Sequence, residues 1–147
     1  MDSSLVYLVQ TDTTVGFLSY DNIKLSQIKK RPSKQKILMV VDSFKTLKLK
    51  TRVPKKYKRF IRKSNFTTII YPNLSSFRVV DKSNNHHSFI KRFRYLFSTS
   101  ANITKKDFNE EFAVENSDII LYTKDGFSQT KSSSIYKVNK NKIKKVR

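Results

Sequence analysis

The chain has 147 residues, 37% of them hydrophobic, with eleven Phe, seven Tyr and a formal charge of +20. That length and apolar content suit one domain with a real core and exclude a largely disordered chain. Cys is absent, which excludes disulfides, thiolate catalysis and cysteine-based metal sites; no apolar run approaches the ~18 residues of a membrane span.

The opening, MDSSLVYLVQTDTT, carries an acid where a signal peptide has a base, and its apolar run is short, so a cytoplasmic protein is expected. SLVYLVQ (4–10) reads as a buried strand, followed by the polar turn TDTT. Asp21 can cap a helix with Ile23, Leu25 and Ile28 on its apolar side, ended by Pro32. KILMVV (36–41) is a second apolar strand, and Asp42 or Ser43 starts a short helix, SFKTLKL. Pro54 suits the first turn of PKKYKRFIRKS, with Tyr57, Phe60 and Ile61 on one side. FTTIIYP (66–72) and SFRVV (76–80) read as two strands that pair through a PNLSS turn. NHHSFIKRFRYLF (85–97) reads as a helix, with His86 and His87 on the surface near its start. STSAN (98–102) closes a strand. KDFNEEFAVEN (106–116) is helix-like, DIILYT (118–123) is a strand, Asp125-Gly126 a turn, and SSSIYKV (132–138) the last strand. A domain over 1–138 and a basic C-terminal tail over 139–147 are expected; the tail's polarity and position favour mobility. No repeat appears. The irregular alternation predicts a single α/β domain with a twisted, mostly open mixed sheet flanked by helices.

The charge is uneven. Lys24 to Lys63 holds sixteen basic residues and one acid, Asp42; Lys137 to Arg147 adds six more with none. Such a field favours polyanions, either RNA or nucleotide phosphates. A compositional preference for Lys on a solvated surface is the plainer alternative. Lys55, Lys56, Lys58 and Arg59 are the candidate RNA contacts, with Tyr57 and Phe60 interleaved as core residues or base-stacking platforms.

Motifs for other chemistries fail. With Gly16 and Gly126 as the only glycines, a glycine-rich phosphate loop is impossible. His86 and His87 are adjacent, about 100° apart on a helix, so they cannot share a metal face. No metal ligands are assigned to protein side chains. What remains is a set of hydroxyls, cations and a carboxamide at strand and helix ends: Thr11 to Thr14, Lys29, Arg31, Thr67, Thr68, Arg78, Ser98, Ser100, Asn102 and Ser132 to Ser134. Taken singly, each suits a cap or a turn.

Taken in order, they resemble the YrdC-like family of threonylcarbamoyl-AMP synthases. QTDTTVG (10–16) is similar to that family's PTDTVYG. IKKRPSKQKILMVV resembles LKxRPxxxPLxV, with RVP (52–54) a weaker echo of a later element. FTTIIYP resembles GPxTxVxP, SFRVVD resembles xVRVPxH, and SSSIYKV resembles PSTVVDV. FSTSANIT is similar to xSTSANxSG, the most specific of these motifs. The matches run from about Leu5 to Val138. The departures fall mostly on glycine and proline: NFTT lacks the Gly-Pro of GPxT, Lys105 replaces the glycine after SANxS, and Ser132 replaces a proline.

The resemblance implies a single α/β domain with a concave basic cavity. It implies synthesis of threonylcarbamoyl-AMP and pyrophosphate from L-threonine, bicarbonate and ATP with Mg²⁺. The product would feed N6-threonylcarbamoyladenosine formation by downstream tRNA threonylcarbamoyl-transfer proteins. Carried over residue by residue, Lys29 and Arg31 would be catalytic and bind the triphosphate. Thr68, Ser98, Ser100, Asn102 and Ser133 would complete the ATP site. Thr11 and Arg78 would hold threonine. The alternative it leaves open is a non-catalytic paralogue of the same fold that binds nucleotide or RNA.

Overall fold

The computed structural model describes residues 4–147. Asp2, on which the reading of the N-terminus rested, lies outside them. Among the described residues nine strands form one mixed sheet in the order β7-β1-β2-β6-β3-β5-β4-β8-β9.

The first strand, β1 (Tyr7–Gln10), turns at Thr11–Thr14 into β2 (Val15–Ser19) as an antiparallel hairpin. β2 is an element the sequence reading lacks. All five of its residues are buried, between β1 and β6, so no alternation marks it. α1 (Asn22–Ile28) starts where expected: the Asp21 carboxylate accepts from the backbone N–H groups of Ile23 and Lys24 at 3.0 Å each. β3 (Leu38–Val41) follows, then α2 (Phe44–Lys50), capped by Ser43 rather than Asp42 through a 3.1 Å bond from Thr46 N–H. A 3₁₀ turn (Lys55–Tyr57) after Pro54 leads into α3 (Lys58–Lys63).

β4 (Thr67–Ile70) and β5 (Ser76–Val79) pair directly and antiparallel, as expected. α4 is shorter than the sequence suggests. Asn84 caps Asn85–Phe93, and Arg94 at φ 72° breaks the helix, so Tyr95–Ser100 becomes β6 instead of its last turn. Tyr95, Phe97 and Thr99 alternate with Leu96, Ser98 and Ser100, a period of two hidden inside an apolar run. α5 (Glu110–Glu115) is capped by Asn109, then come β7 (Ile119–Leu121), β8 (Ser134–Val138) and β9 (Ile143–Lys145). β9 corrects the expectation of a mobile tail: it pairs antiparallel with β8 at Val138↔Ile143 and carries the chain end back onto Ile135.

Alternation sorts the core. Along β1 and the residue before it, Val6 and Leu8 pack toward α1 and α5 with Leu25 and Ala113, while Tyr7 and Val9 pack toward α4 with Ile90 and Phe93. On the other half of the sheet, Ile69 and Phe77 join Leu47, Tyr57 and Ile61 beneath α2 and α3. Fully burying each such large apolar side chain contributes about 1.5–3 kcal/mol. The opposite residues of β4, β5 and β8 are left without a covering helix, and the cavity lies over them. Among the described residues no helix is long and apolar enough to cross a membrane.

Candidate functional site

The uncovered face lines a cavity of about 410 Å³. Thr11 and Arg31 reach it from the ends of β1 and α1, Thr68 from β4, Arg78 from β5, Ser98 and Ser100 from β6, and Ser133 from the residue before β8. These seven, with Thr13, Thr14 and Ser132, are residues singled out along the sequence, and the fold brings them together from six segments. The register explains it. Thr68 pairs beside Ile135, Arg78 beside Val40, and Ser98 lies between Leu18 and Leu38, all with side chains on one face. Thr68 and Ser133 share a 2.9 Å hydroxyl–hydroxyl bond across that wall. The charged lining groups are Arg31, Lys36, Arg78 and Arg147, with no acid among them. An electropositive concavity with several fixed hydroxyls has the chemistry to hold an anionic small molecule.

Lys29 and Asn102 stand differently. Neither lines the cavity. Lys29 is buried, and its ammonium donates to Ser100 O at 2.9 Å, Asn102 Oδ1 at 3.1 Å and Asn102 O. Asn102 Nδ2 in turn donates to Lys106 O. The three Lys29 protons therefore fix the STSAN turn, which presents Ser98 and Ser100 to the cavity. Burial, then the neighbouring Arg31 charge, push the Lys29 ammonium down to about 8. Thr11 is occupied too: its hydroxyl donates to Thr14 O and accepts from Thr13 and Thr14 N–H, so it closes the β1–β2 turn.

Arg78 is, like Lys29, a buried cation. Its Nη2 lies 3.2 Å from Asp12 Oδ1, and Nε has no hydrogen-bond partner. Burial pushes the Asp12 carboxyl up and the Arg78 guanidinium down, each shift opposed by the other's charge. Behind them lies His86, 3% exposed and stacked on Phe89, which corrects its expected place on the surface. Its position, two residues after the Asn84 cap, falls on the apolar stripe with Ile90 and Phe93. Neither ring nitrogen has a partner, and burial, then the charges of Arg78 and His87, hold the imidazole down to about 3.

Sequence reasoning missed Arg147 and gave Asp12 no role. Arg147 donates from Nε and Nη2 to Ser133 O at 3.1 and 2.9 Å, and it lines the cavity because β9 folds back beside β8. Ile143-Lys144-Lys145-Val146 has no alternation of apolar and polar residues, so nothing in the sequence marked β9. At two motif departures the backbone is informative. Lys105, standing for a glycine, keeps a left-handed φ of 65°. Phe66, standing for a proline, has φ 50°, which a proline ring forbids, so that loop has its own shape. Lys55, Lys56, Lys58 and Arg59 lie elsewhere, on the 3₁₀ turn and α3, where Tyr57 is core and Phe60 is exposed.

No family model matches the sequence, and no curated protein matches it. Solved structures match over nearly the whole chain. The E. coli YciO crystal structure has a TM-score of 0.76 at 14% identity, covering 98% of this chain and 82% of that one. P. abyssi Sua5 complexed with L-threonine has 0.73 at 14%, covering 97% and 50%. Full-length HypF in its phosphate- and nucleotide-bound form has 0.71 at 13%, covering 97% and 26%. The chain thus spans half of Sua5 and about a quarter of HypF. At these identities the likeness establishes the fold: a YrdC/Sua5-like single α/β domain with an open mixed sheet, as the resemblance implied.

Proposed function

We propose that the protein is an L-threonylcarbamoyladenylate synthase, joining L-threonine, bicarbonate and MgATP into threonylcarbamoyl-AMP with release of pyrophosphate. The observation that carries this reading is the convergence of Arg31, Arg78, Arg147 and four hydroxyl-bearing residues (Thr68, Ser98, Ser100, Ser133) on one cavity with no acidic lining. A Sua5 holding L-threonine and a HypF holding phosphate and nucleotide share the fold, which supports the substrate classes.

The threonine amine adds to bicarbonate with loss of water to give a carbamate. A carbamate oxygen attacks the α-phosphorus of ATP, the bond to the β-phosphate bridging oxygen breaks, and its electron pair leaves on pyrophosphate. The nucleophile comes from the substrate, so the chain needs no Cys, Ser or His nucleophile; it needs positioning and charge stabilisation. Arg31 and Arg147 oppose the triphosphate, and Arg31 can do so with two parallel donors. Ser98, Ser100, Thr68 and Ser133 supply fixed hydroxyls around it. Arg78, which lines the cavity floor with its Nη2 held by Asp12, supplies the positive charge toward the threonine carboxylate. Thr11 shapes the threonine end through its turn, and Lys29 with Asn102 positions Ser98 and Ser100. Magnesium enters on the triphosphate as part of the substrate, held by phosphate oxygens and water; the cavity lining offers it hydroxyls and no carboxylate. The product would pass to tRNA threonylcarbamoyl-transfer proteins, in the cytoplasm.

The test is mass spectrometry of quenched reactions containing ATP, Mg²⁺, L-threonine and ¹³C-bicarbonate. Labelled threonylcarbamoyl-AMP is expected. Nucleotide binding without any adduct would instead identify a non-catalytic relative of the fold.

A further inference from the structure

The loop between α1 and β3 carries Arg31 to the cavity. Its first residues are held in place: Arg31 N–H donates to Ser26 O at 2.9 Å, and Thr104 Oγ1 donates to Lys29 O at 3.2 Å. The chain then turns at Pro32–Gln35, where Gln35 N–H donates to Pro32 O at 2.9 Å. Lys36 ties the far end. Its ammonium donates to Asn73 O at 2.6 Å and to Ser75 Oγ at 3.3 Å, both on the β4–β5 turn. Lys36 and Leu74 line the cavity and are exposed, whereas Thr68, Arg78, Ser98 and Ser133 are buried in its floor. The bridge therefore crosses the rim of the cavity, above its polar floor.

The acceptors do not depend on Lys36 for their place. Leu74 N–H donates to Tyr71 O at 2.8 Å, Tyr71 N–H to Ser75 O at 2.9 Å and Ser75 N–H to Asn73 Oδ1 at 3.0 Å. The turn is a fixed post, and Lys36 is the movable side, a point charge on a flexible four-carbon stem. The resembled motif LKxRPxxxPLxV has proline at this position, and a proline has no donor with which to make the bridge. Both acceptors of Lys36 are neutral. A phosphate oxygen is charged, and its hydrogen bond to an ammonium is roughly twice as strong. A nucleotide entering the cavity thus offers Lys36 a better partner than the turn. Such a difference between two states is what lets a ligand shift their equilibrium.

We propose that Lys36 is a strap across the mouth of the cavity, closed on the β4–β5 turn in the free protein and transferred to a phosphate oxygen when a nucleotide enters. Entry is slowed to the fraction of time that the strap is open. Exit is slowed by the bond from Lys36 to the phosphate. The strap rests on the reading of the cavity as a nucleotide site and does not require that the nucleotide react.

The experiment is stopped-flow fluorescence with mant-ATP and Mg²⁺, which gives association and dissociation rate constants. Lys36→Met is expected to speed association about threefold or more and dissociation about tenfold. Ser75→Ala removes one acceptor and keeps the ammonium, so it should speed association about twofold and leave dissociation unchanged. Lys34 is exposed on the same loop and outside the cavity lining. Lys34→Met removes the same charge, and association should stay equal or slow slightly through weaker steering. A Lys36 acting only as a phosphate contact would slow association in Lys36→Met as in Lys34→Met, and that result would overturn the strap. An association rate unchanged in both Lys36→Met and Ser75→Ala would do the same. Hydrogen exchange of the free protein gives a readout without nucleotide. The peptide over Pro32–Gln35 should exchange faster in Lys36→Met, and equal exchange would overturn the closed state. If that difference is present but the unmodified protein binds no mant-ATP, the nucleotide reading of the cavity fails and the gating fails with it.

Discussion

Arg78 Nη2 sits 3.2 Å from Asp12 Oδ1 with both side chains sealed from solvent, so the cation on the cavity floor is anchored by the acid of the β1–β2 turn. Removing one partner of a buried pair leaves the other charge uncompensated. Asp12→Ala is therefore expected to cost about 3–5 kcal/mol of unfolding free energy in urea titrations. Combining it with Arg78→Met should recover most of that loss. A loss below about 1 kcal/mol for the single variant would mean that the pair does not hold Arg78.

His86 makes the fold acid-labile. Burial holds the folded imidazole down to about 3, against about 6.5 for an ordinary histidine, so between these limits the unfolded chain binds a proton that the native chain does not. Stability from this group is complete above pH 6.5 and is lost as pH falls toward 3, by about 2 kcal/mol at pH 5. His86→Phe should flatten the dependence of Tm on pH across that window. An unchanged slope would place the acid sensitivity in another group.

Lys29 couples turn geometry to protonation. At pH 7 its ammonium supplies three donors to Ser100 and Asn102. As pH rises through about 8 the neutral amine supplies two, so ATP affinity is expected to fall there. Global stability should move the other way. Between about 8 and 10.5 the unfolded chain retains a proton that the folded chain has released, so this group's contribution to unfolding free energy rises with pH. Lys29→Met should abolish the alkaline fall in ATP binding measured by calorimetry, with weaker binding throughout. A persisting fall near pH 8 in that variant would contradict the assignment.

Lys105 holds φ 65° where the resembled motif has glycine. A left-handed conformation costs an ordinary L-residue roughly 1–2 kcal/mol, a cost that glycine escapes. Lys105→Gly is expected to raise unfolding free energy by about 0.5–1 kcal/mol, net of glycine's greater freedom in the unfolded chain. A loss of stability in denaturant titrations would show that the lysine side chain contributes more than its backbone costs.

The site was more legible than the fold around it. STSAN, Arg31, Arg78, Thr68 and Ser133 stood out because hydroxyls and cations fall at element ends in a recognisable order, and one sheet face collects Thr68, Arg78, Ser98, Ser100 and Ser133 from four segments. β2 stayed hidden because a strand buried on both faces shows no alternation, and its Gly16 reads as a break. β6 hid inside an apolar run that suits a helix until Arg94 takes a positive φ. Arg147 could not be placed without β9, whose three residues give too short a period. Lys29 illustrates a different limit: sequence order puts it beside Arg31, but only the fold shows its ammonium turned onto the STSAN backbone and away from the cavity.

The most direct measurement is pyrophosphate release by the purified protein with ATP and Mg²⁺, with L-threonine and bicarbonate each present or omitted, repeated with Arg31→Ala. The cavity described here predicts release only when both co-substrates are present, and a fall of at least about a hundredfold in the variant, the scale of losing one preorganised charge-stabilising group. Release that ignores threonine and bicarbonate, or that survives Arg31→Ala unchanged, would contradict it.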